Sequence, residues 1–250
     1  MTERETEAFV RDGFVRIAGA VRADLVERCR AELWRATGCD PDDPGTWTDP
    51  VVRLGAFATE PFRAAADGPL LRAAFDRLVG SGRWVPRQGL GTFPVRFPST
   101  APPGDDGWHL EAGYTGAAGE YRVNLRSRGR ALLMLFLFSD VGEDDAPTRI
   151  RVGSHLDVPR LLAAAGEEGR PWFEVCEDAV SASAAREVTT ATGTAGDVLL
   201  CHPFLVHAAQ AHRGRVPRFM AQPPLDPRGL LDLSGDAPTP VERAVLMGLA

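Results

Sequence analysis

Beyond residue 84 the apolar residues of this 250-residue chain stop recurring at helical spacing and come instead in short runs, each closed by Gly, Pro or Asp. The runs are Gly91–Phe97, Ala131–Val141, Arg149–Val152, Asp197–Leu200 and Arg218–Gln222. A single strand of that length buries too little to stand alone, so several of them, punctuated this closely, predict an all-β core. Before residue 84 the pattern is helical. Thr2–Arg11 carries a capping box at Thr2 and Glu5 and stops at Asp12-Gly13. Phe14–Ile17 alternates like a strand. Ala23 to about Ala36 has Leu25, Val26, Cys29, Leu33 and Trp34 at helical spacing, and Glu60–Val79 repeats the pattern. Asp40–Pro50 is a loop, Pro159–Glu168 a helical insertion, and Ser181–Thr194 a small-residue loop or weak strand. The expected fold is mainly β with flanking helices: a double-stranded β-helix, or jelly roll, of the cupin-like kind. It forms one domain, with residues 1–83 mostly helical, 84–225 the β-helix core and 226–250 a C-terminal tail.

Composition narrows the chemistry. A net charge of −6 and a pI near 5.4 argue against a nucleic-acid partner. All 28 basic residues are Arg, which removes Schiff-base chemistry, pyridoxal phosphate anchoring and a lysine-bearing P-loop. Cys29, Cys39, Cys176 and Cys201 form no C-x-x-C pair and read as reduced thiols of a cytoplasmic protein. Met1–Arg11 lacks the apolar core of a signal peptide, and the longest apolar run is strand-length, so no membrane partner is expected. The oligomeric state is not legible.

Three residues suggest a metal site. In an extended strand, side chains two apart share a face, so His109 and Glu111 present an imidazole and a carboxylate to one point. His207, beyond the apolar run Asp197–Phe204, supplies a second imidazole once the strands fold together. Two His and one carboxylate make the facial triad of non-haem iron(II) oxygenases, with three coordination positions left open. The pair H-x-E also recurs by chance, and the alternative is a hydrogen-bonded His of surface or core. Of the other histidines, His202 reads as a supporting residue, His212 as solvated in a polar turn, and His155 as closing a loop by a hydrogen bond. Arg218, returning after the turn Gln210–Pro217, is placed to grip a carboxylate by a bidentate pair. Its alternative is a solvated strand face, and its rivals are Arg213 and Arg215. Arg122, Asn124, Arg126 and Arg128 follow the metal motif and read as a solvated face rather than a grip for an anionic substrate.

Together the motifs resemble the phytanoyl-CoA dioxygenase family of iron(II)/2-oxoglutarate oxygenases. Phe9–Val15 is similar to its F-x-x-D-G-[FY]-[VL], and Trp108–Glu111 to its W-H-x-D. Thr148–His155 resembles T-x-x-x-P-G-S-H. Gly196–Ala209 resembles its G-D strand followed by H-x-[AS], and Pro217-Arg218 its [RP]-R. Glu111 stands where the family has Asp, and Val152 where it has Pro. The resemblance implies iron(II) at His109, Glu111 and His207, 2-oxoglutarate at Arg218 with help from Thr148, and dioxygen as co-substrate. It also implies oxidation of a C–H bond of a small-molecule substrate, hydroxylation by default, in a specialised biosynthetic pathway. Two other readings stay open: a cupin-like metal isomerase or hydrolase without 2-oxoglutarate, and a non-catalytic binding protein on the same fold.

Overall fold

The computed structural model describes residues 1–250. Seven helices, α1 (Glu3–Asp12), α2 (Ala23–Thr37), α3 (Glu60–Ala66), α4 (Pro69–Val79), α5 (Val158–Leu162), α6 (Trp172–Ala182) and α7 (Pro240–Leu249), surround the sheets. The strands are β1 (Phe14–Ile17), β2 (Val51–Leu54), β3 (Phe93–Arg96), β4 (Tyr114–Thr115), β5 (Tyr121–Val123), β6 (Leu132–Leu137) and β7 (Arg149–Arg151). They continue with β8 (Arg170–Pro171), β9 (Val188–Thr190), β10 (Val198–Cys201), β11 (His207–Ala208), β12 (Met220–Ala221) and β13 (Pro224–Leu225). The major sheet runs β1-β10-β6-β12, with β13 also on β6, and the minor sheet runs β11-β7-β9. Every pairing is antiparallel. This is the expected double-stranded β-helix.

β6 shows why its sequence reads as one unbroken apolar run: it is buried on both faces. Leu133, Leu135 and Leu137 point into the barrel, against Ile150, Leu199, Leu205 and Met220. Leu132, Met134 and Phe136 point the other way, into the core shared with the helices. Each such side chain contributes about 1.5–3 kcal/mol of transfer free energy. That two-sided burial makes β6 the rigid floor of the fold.

Several elements differ from expectation. Glu60–Val79 is two helices, because Asp67-Gly68 breaks the first and Pro69 starts the second. The Pro159–Glu168 insertion is shorter: α5 stops at Leu162 and the rest is turn. α6 was not anticipated; its aromatic, β-branched start hides a helical stripe of Val175, Cys176 and Ala179. The 226–250 tail ends in α7, which buries Val241, Ala244 and Val245. Thr239 and Glu242 form the capping box of α7, and the buried Glu242 also accepts from Arg83 (2.5 and 3.1 Å).

The junction of α1 and β1 is tied to the back of the barrel. Gly13 has φ +88°, and a Cβ there would lie 2.5 Å from His155 Nδ1 and 2.7 Å from Leu205 Cδ1, so only glycine fits. His155 Nε2 bonds the Val10 carbonyl (3.0 Å), closing α1 onto the loop after β7 as the sequence suggested. His155 packs against His202 with ring centroids 4.9 Å apart and the rings tilted, and both are buried. Burial, with Arg186 nearby, pushes His155 down to about 4, and burial with the charge of His155 pushes His202 down well below its ordinary value.

Above about pH 6.5 these rings are neutral in both folded and unfolded chains. As pH falls toward 4 the unfolded chain binds protons that the fold refuses, so stability declines. For His155 alone the loss reaches about 3 kcal/mol by pH 4. The urea midpoint of the metal-free protein should drop between pH 7 and pH 5, and His155→Gln should show a smaller drop. Equal drops would contradict this account.

Candidate metal centre

His109 and His207 come together through the backbone. His109 N–H donates to the His207 carbonyl and His207 N–H to the His109 carbonyl, both at 2.9 Å, in an isolated antiparallel bridge. Residues exchanging both hydrogen bonds project their side chains to one face, and the two rings lie with centroids 4.5 Å apart. Nδ1 of His109 bonds the Gly107 carbonyl and Nδ1 of His207 the Leu205 carbonyl, each at 2.9 Å. Both contacts require an N–H on Nδ1, which leaves each Nε2 with a free lone pair. Burial, then repulsion from His109, pushes His207 down to about 3, so it stays an unprotonated donor.

Neighbouring residues hold this pair in place. Arg149 on β7 donates to the carbonyls of Asp106 (2.7 Å) and Ala209 (2.9 Å), strapping the histidine segment to the end of β11. Arg149 and Arg151 stack on Trp108 at 4.9 and 4.6 Å. Trp172 at the start of α6 donates to the Leu110 carbonyl (2.9 Å), fixing the residue between His109 and Glu111.

Glu111 lies beside the pair, with Oε1 3.8 Å from His109 Nε2. Its other oxygen, Oε2, is ion-paired with Arg130. In this arrangement no three His, Cys, Asp or Glu side chains enclose a metal-sized point. Closing the set requires Glu111 to turn from Arg130 or to use Oε1 alone. Arg130 went unnoticed in the sequence, where Arg126, Arg128 and Arg130 look alike.

A cavity of about 320 Å³ opens on both histidines, lined also by Arg53, Thr92, Pro94, Arg96, Asp105 and Gln222. Arg218 backs this region without lining it. It is buried, donates to the Ala146 and Pro94 carbonyls, and leaves Nε without an acceptor. Thr148 is buried with its hydroxyl against the Met220 sulfur (4.0 Å) and is not on the cavity wall.

The remaining histidines stand apart. His212 is buried rather than solvated, because Nδ1 accepts from Gly214 N–H (3.1 Å) and Nε2 meets the Val216 carbonyl (2.8 Å). His202 packs at the back of the barrel, its Nε2 3.3 Å from the Val241 carbonyl of α7. Arg122 and Asn124 secure the carbonyls of residues 167–169, Arg126 the Leu231 carbonyl, and Arg128 covers Tyr114.

The family model for phytanoyl-CoA dioxygenase (PhyH) matches residues 9–220. The chain belongs to the phytanoyl-CoA dioxygenase family. It is accordingly an iron(II)/2-oxoglutarate-dependent oxygenase, with iron(II), 2-oxoglutarate and dioxygen as its cofactor and co-substrates. A search of curated proteins returns no match. Among solved structures the chain is similar to HygX from Streptomyces hygroscopicus with nickel and 2-oxoglutarate bound, at 21% identity and TM-score 0.57 over 89% of this chain and 85% of that one. It is also similar to SnoN, a non-haem α-ketoglutarate-dependent epimerase from nogalamycin biosynthesis (21%, TM-score 0.56, 88% and 80%). EctD from S. alaskensis with bound iron aligns at 21% and TM-score 0.56 over 89% and 75%. At this identity the likeness concerns the fold. The donor set fits the family's metal on its own chemistry: two imidazoles held through Nδ1 with Nε2 turned to one cavity, and a carboxylate 3.8 Å from one of them, suit iron(II).

If these side chains hold the ion, His109→Ala and His207→Ala should each weaken metal binding at least about 100-fold, beyond the usual effect of a supporting residue. His155→Ala should bind as the parent does. Anaerobic calorimetric titration with iron(II) or manganese(II) checks this, and comparable affinity in His207→Ala would reject the assignment.

Proposed function

We propose that iron held by His109, Glu111 and His207, with 2-oxoglutarate anchored by Arg218, oxidises a C–H bond of a small organic metabolite, hydroxylation being the default outcome. The observation that carries this reading is the histidine pair with both Nε2 lone pairs free at a cavity backed by a buried arginine. When bound, iron, 2-oxoglutarate and dioxygen supply the oxidising power for an unactivated C–H bond, and 2-oxoglutarate leaves as succinate and carbon dioxide.

The chain's own residues orient these groups. The carbonyls of Gly107 and Leu205 fix the two imidazoles, and Arg130 steadies the Glu111 carboxylate. A groove of about 710 Å³ between residues 104–111 and α6 reaches His109 and Glu111 and is walled by Trp108, Trp172, Phe173 and Val180. Its aromatic walls suit a ring-bearing substrate. No helix is long and apolar enough to cross a membrane. Structural neighbours favour a specialised biosynthetic role: structures exist of HygX with hygromycin B and of SnoN with nogalamycin RO. SnoK, a carbocyclase from nogalamycin biosynthesis, is a further neighbour. Epimerisation and ring closure are therefore alternative outcomes of the same C–H chemistry.

Succinate release with iron(II), 2-oxoglutarate and a panel of ring-bearing metabolites tests the reading, with product mass distinguishing oxygen insertion from ring closure. Removing one partner of a desolvated ion pair costs about 3–5 kcal/mol, or roughly two to three and a half orders of magnitude in affinity. Arg218→Ala should raise the 2-oxoglutarate requirement by that factor and spare metal binding, while Arg213→Ala and Arg215→Ala should do little. An unchanged requirement in Arg218→Ala would remove it as the anchor.

A further inference from the structure

Next to the histidine cavity two guanidiniums are buried side by side. Arg96 N–H donates to the Arg218 carbonyl at 3.1 Å and Arg218 N–H to the Arg96 carbonyl at 2.8 Å, so the two residues oppose each other across an antiparallel bridge and project to one face. They are 2% and 1% exposed, the two largest fully buried side chains in the molecule. Burial, then the charge of Arg96, pushes Arg218 down to about 9. Like charges this close and this dry need compensation.

The compensation present is partial. The one carboxylate at hand, Asp105, accepts from Arg96 Nη2 at 2.7 Å and is shared with Arg53 at 2.8 Å. Burial pushes the Asp105 carboxyl up, but hydrogen bonds from Arg96 and Arg53 outweigh it and hold it below its ordinary range. Arg96 Nε, Arg96 Nη1 and Arg218 Nε remain without any acceptor. Buried polar atoms in native proteins are nearly always partnered, so three orphaned guanidinium nitrogens in one place call for an anion. Of the two arginines it is Arg96 that lines the cavity shared with His109 and His207.

We propose that Arg96 is a second carboxylate-binding residue of the co-substrate pocket. Its free Nε and Nη1 donors and the free Nε of Arg218 take the distal carboxylate of 2-oxoglutarate together, and Asp105 holds Arg96 in place while the pocket is empty. This rests on the co-substrate reading above and adds to it: selection for a dicarboxylic 2-oxo acid comes from an arginine pair, one member on β3 and the other beside β12. Arg96 was passed over in the sequence, where it is the one charged residue inside the apolar run Gly91–Phe97.

The test is calorimetric binding to the manganese(II)-loaded, full-length protein without oxygen, using 2-oxoglutarate and 2-oxopentanoate, which keeps the 2-oxo acid head and lacks the distal carboxylate. Arg96→Met should weaken 2-oxoglutarate about 30- to 100-fold and leave 2-oxopentanoate within about 3-fold of wild type, so the preference between them collapses. Arg96→Lys should recover part of the preference, and it keeps the charge opposite Asp105 should the Met variant fail to fold. Unaltered manganese affinity reports an intact histidine site. Wild-type affinity for 2-oxoglutarate in Arg96→Met, or equal loss of both acids, overturns the proposal by making Arg96 irrelevant or merely architectural. Failure of the wild-type protein itself to bind 2-oxoglutarate would instead bring down the co-substrate reading, and the arginine pair with it.

Discussion

The site depends on one pair of backbone hydrogen bonds, exchanged between His109 and His207 at 2.9 Å each. The two residues lie far apart in sequence and sit on segments too short to be stable alone. β11 is held by β7, and the His109 segment by Arg149, Trp108 stacking and Trp172. A slip of one residue in either segment would turn an imidazole to the opposite face and dissolve the site. The two-sided burial of β6 and the closure of α1 onto His155 therefore bear on chemistry as well as stability, because they fix the strands that set this register.

Charge is arranged around the same point by opposing burial effects. The imidazole of His207 is kept neutral and ready to donate, and the tautomers of both rings are set by the carbonyls of Gly107 and Leu205. On one side Arg130 faces Glu111; on the other Arg96 and Arg218 outnumber their single partner, Asp105. Glu111 is thus held by an arginine, while Arg96 and Arg218 keep guanidinium nitrogens without an acceptor.

Much of this was legible in the sequence, for identifiable reasons. The double-stranded β-helix follows from short apolar runs at close punctuation, and the capping box at Thr2 and stop at Gly13 follow from local chemistry. The shared face of His109 and Glu111 follows from strand periodicity, and His207 reads as the second imidazole from its place beyond the apolar run Asp197–Phe204, with the family's motif order in support. Features resting on long-range packing were missed. α7 looked like a tail because Pro240–Leu249 is short, yet burial of Val241 and Val245 and the Arg83–Glu242 pair hold it. His212 looked solvated because its neighbours are polar, but its ring serves the turn itself. The partnership of Arg130 with Glu111 and the pairing of Arg96 with Arg218 depend on cross-strand register, which composition does not encode.

The central claim is that Glu111, longer by one carbon than the aspartate the family carries, completes the metal site. An anaerobic crystal structure with iron(II) and 2-oxoglutarate tests it most directly. The account predicts a Glu111 oxygen about 2.0–2.2 Å from the metal, as in other carboxylate–metal bonds. A Glu111 still turned to Arg130, beyond roughly 3.5 Å from the ion with a water between, would contradict it and leave a two-histidine centre.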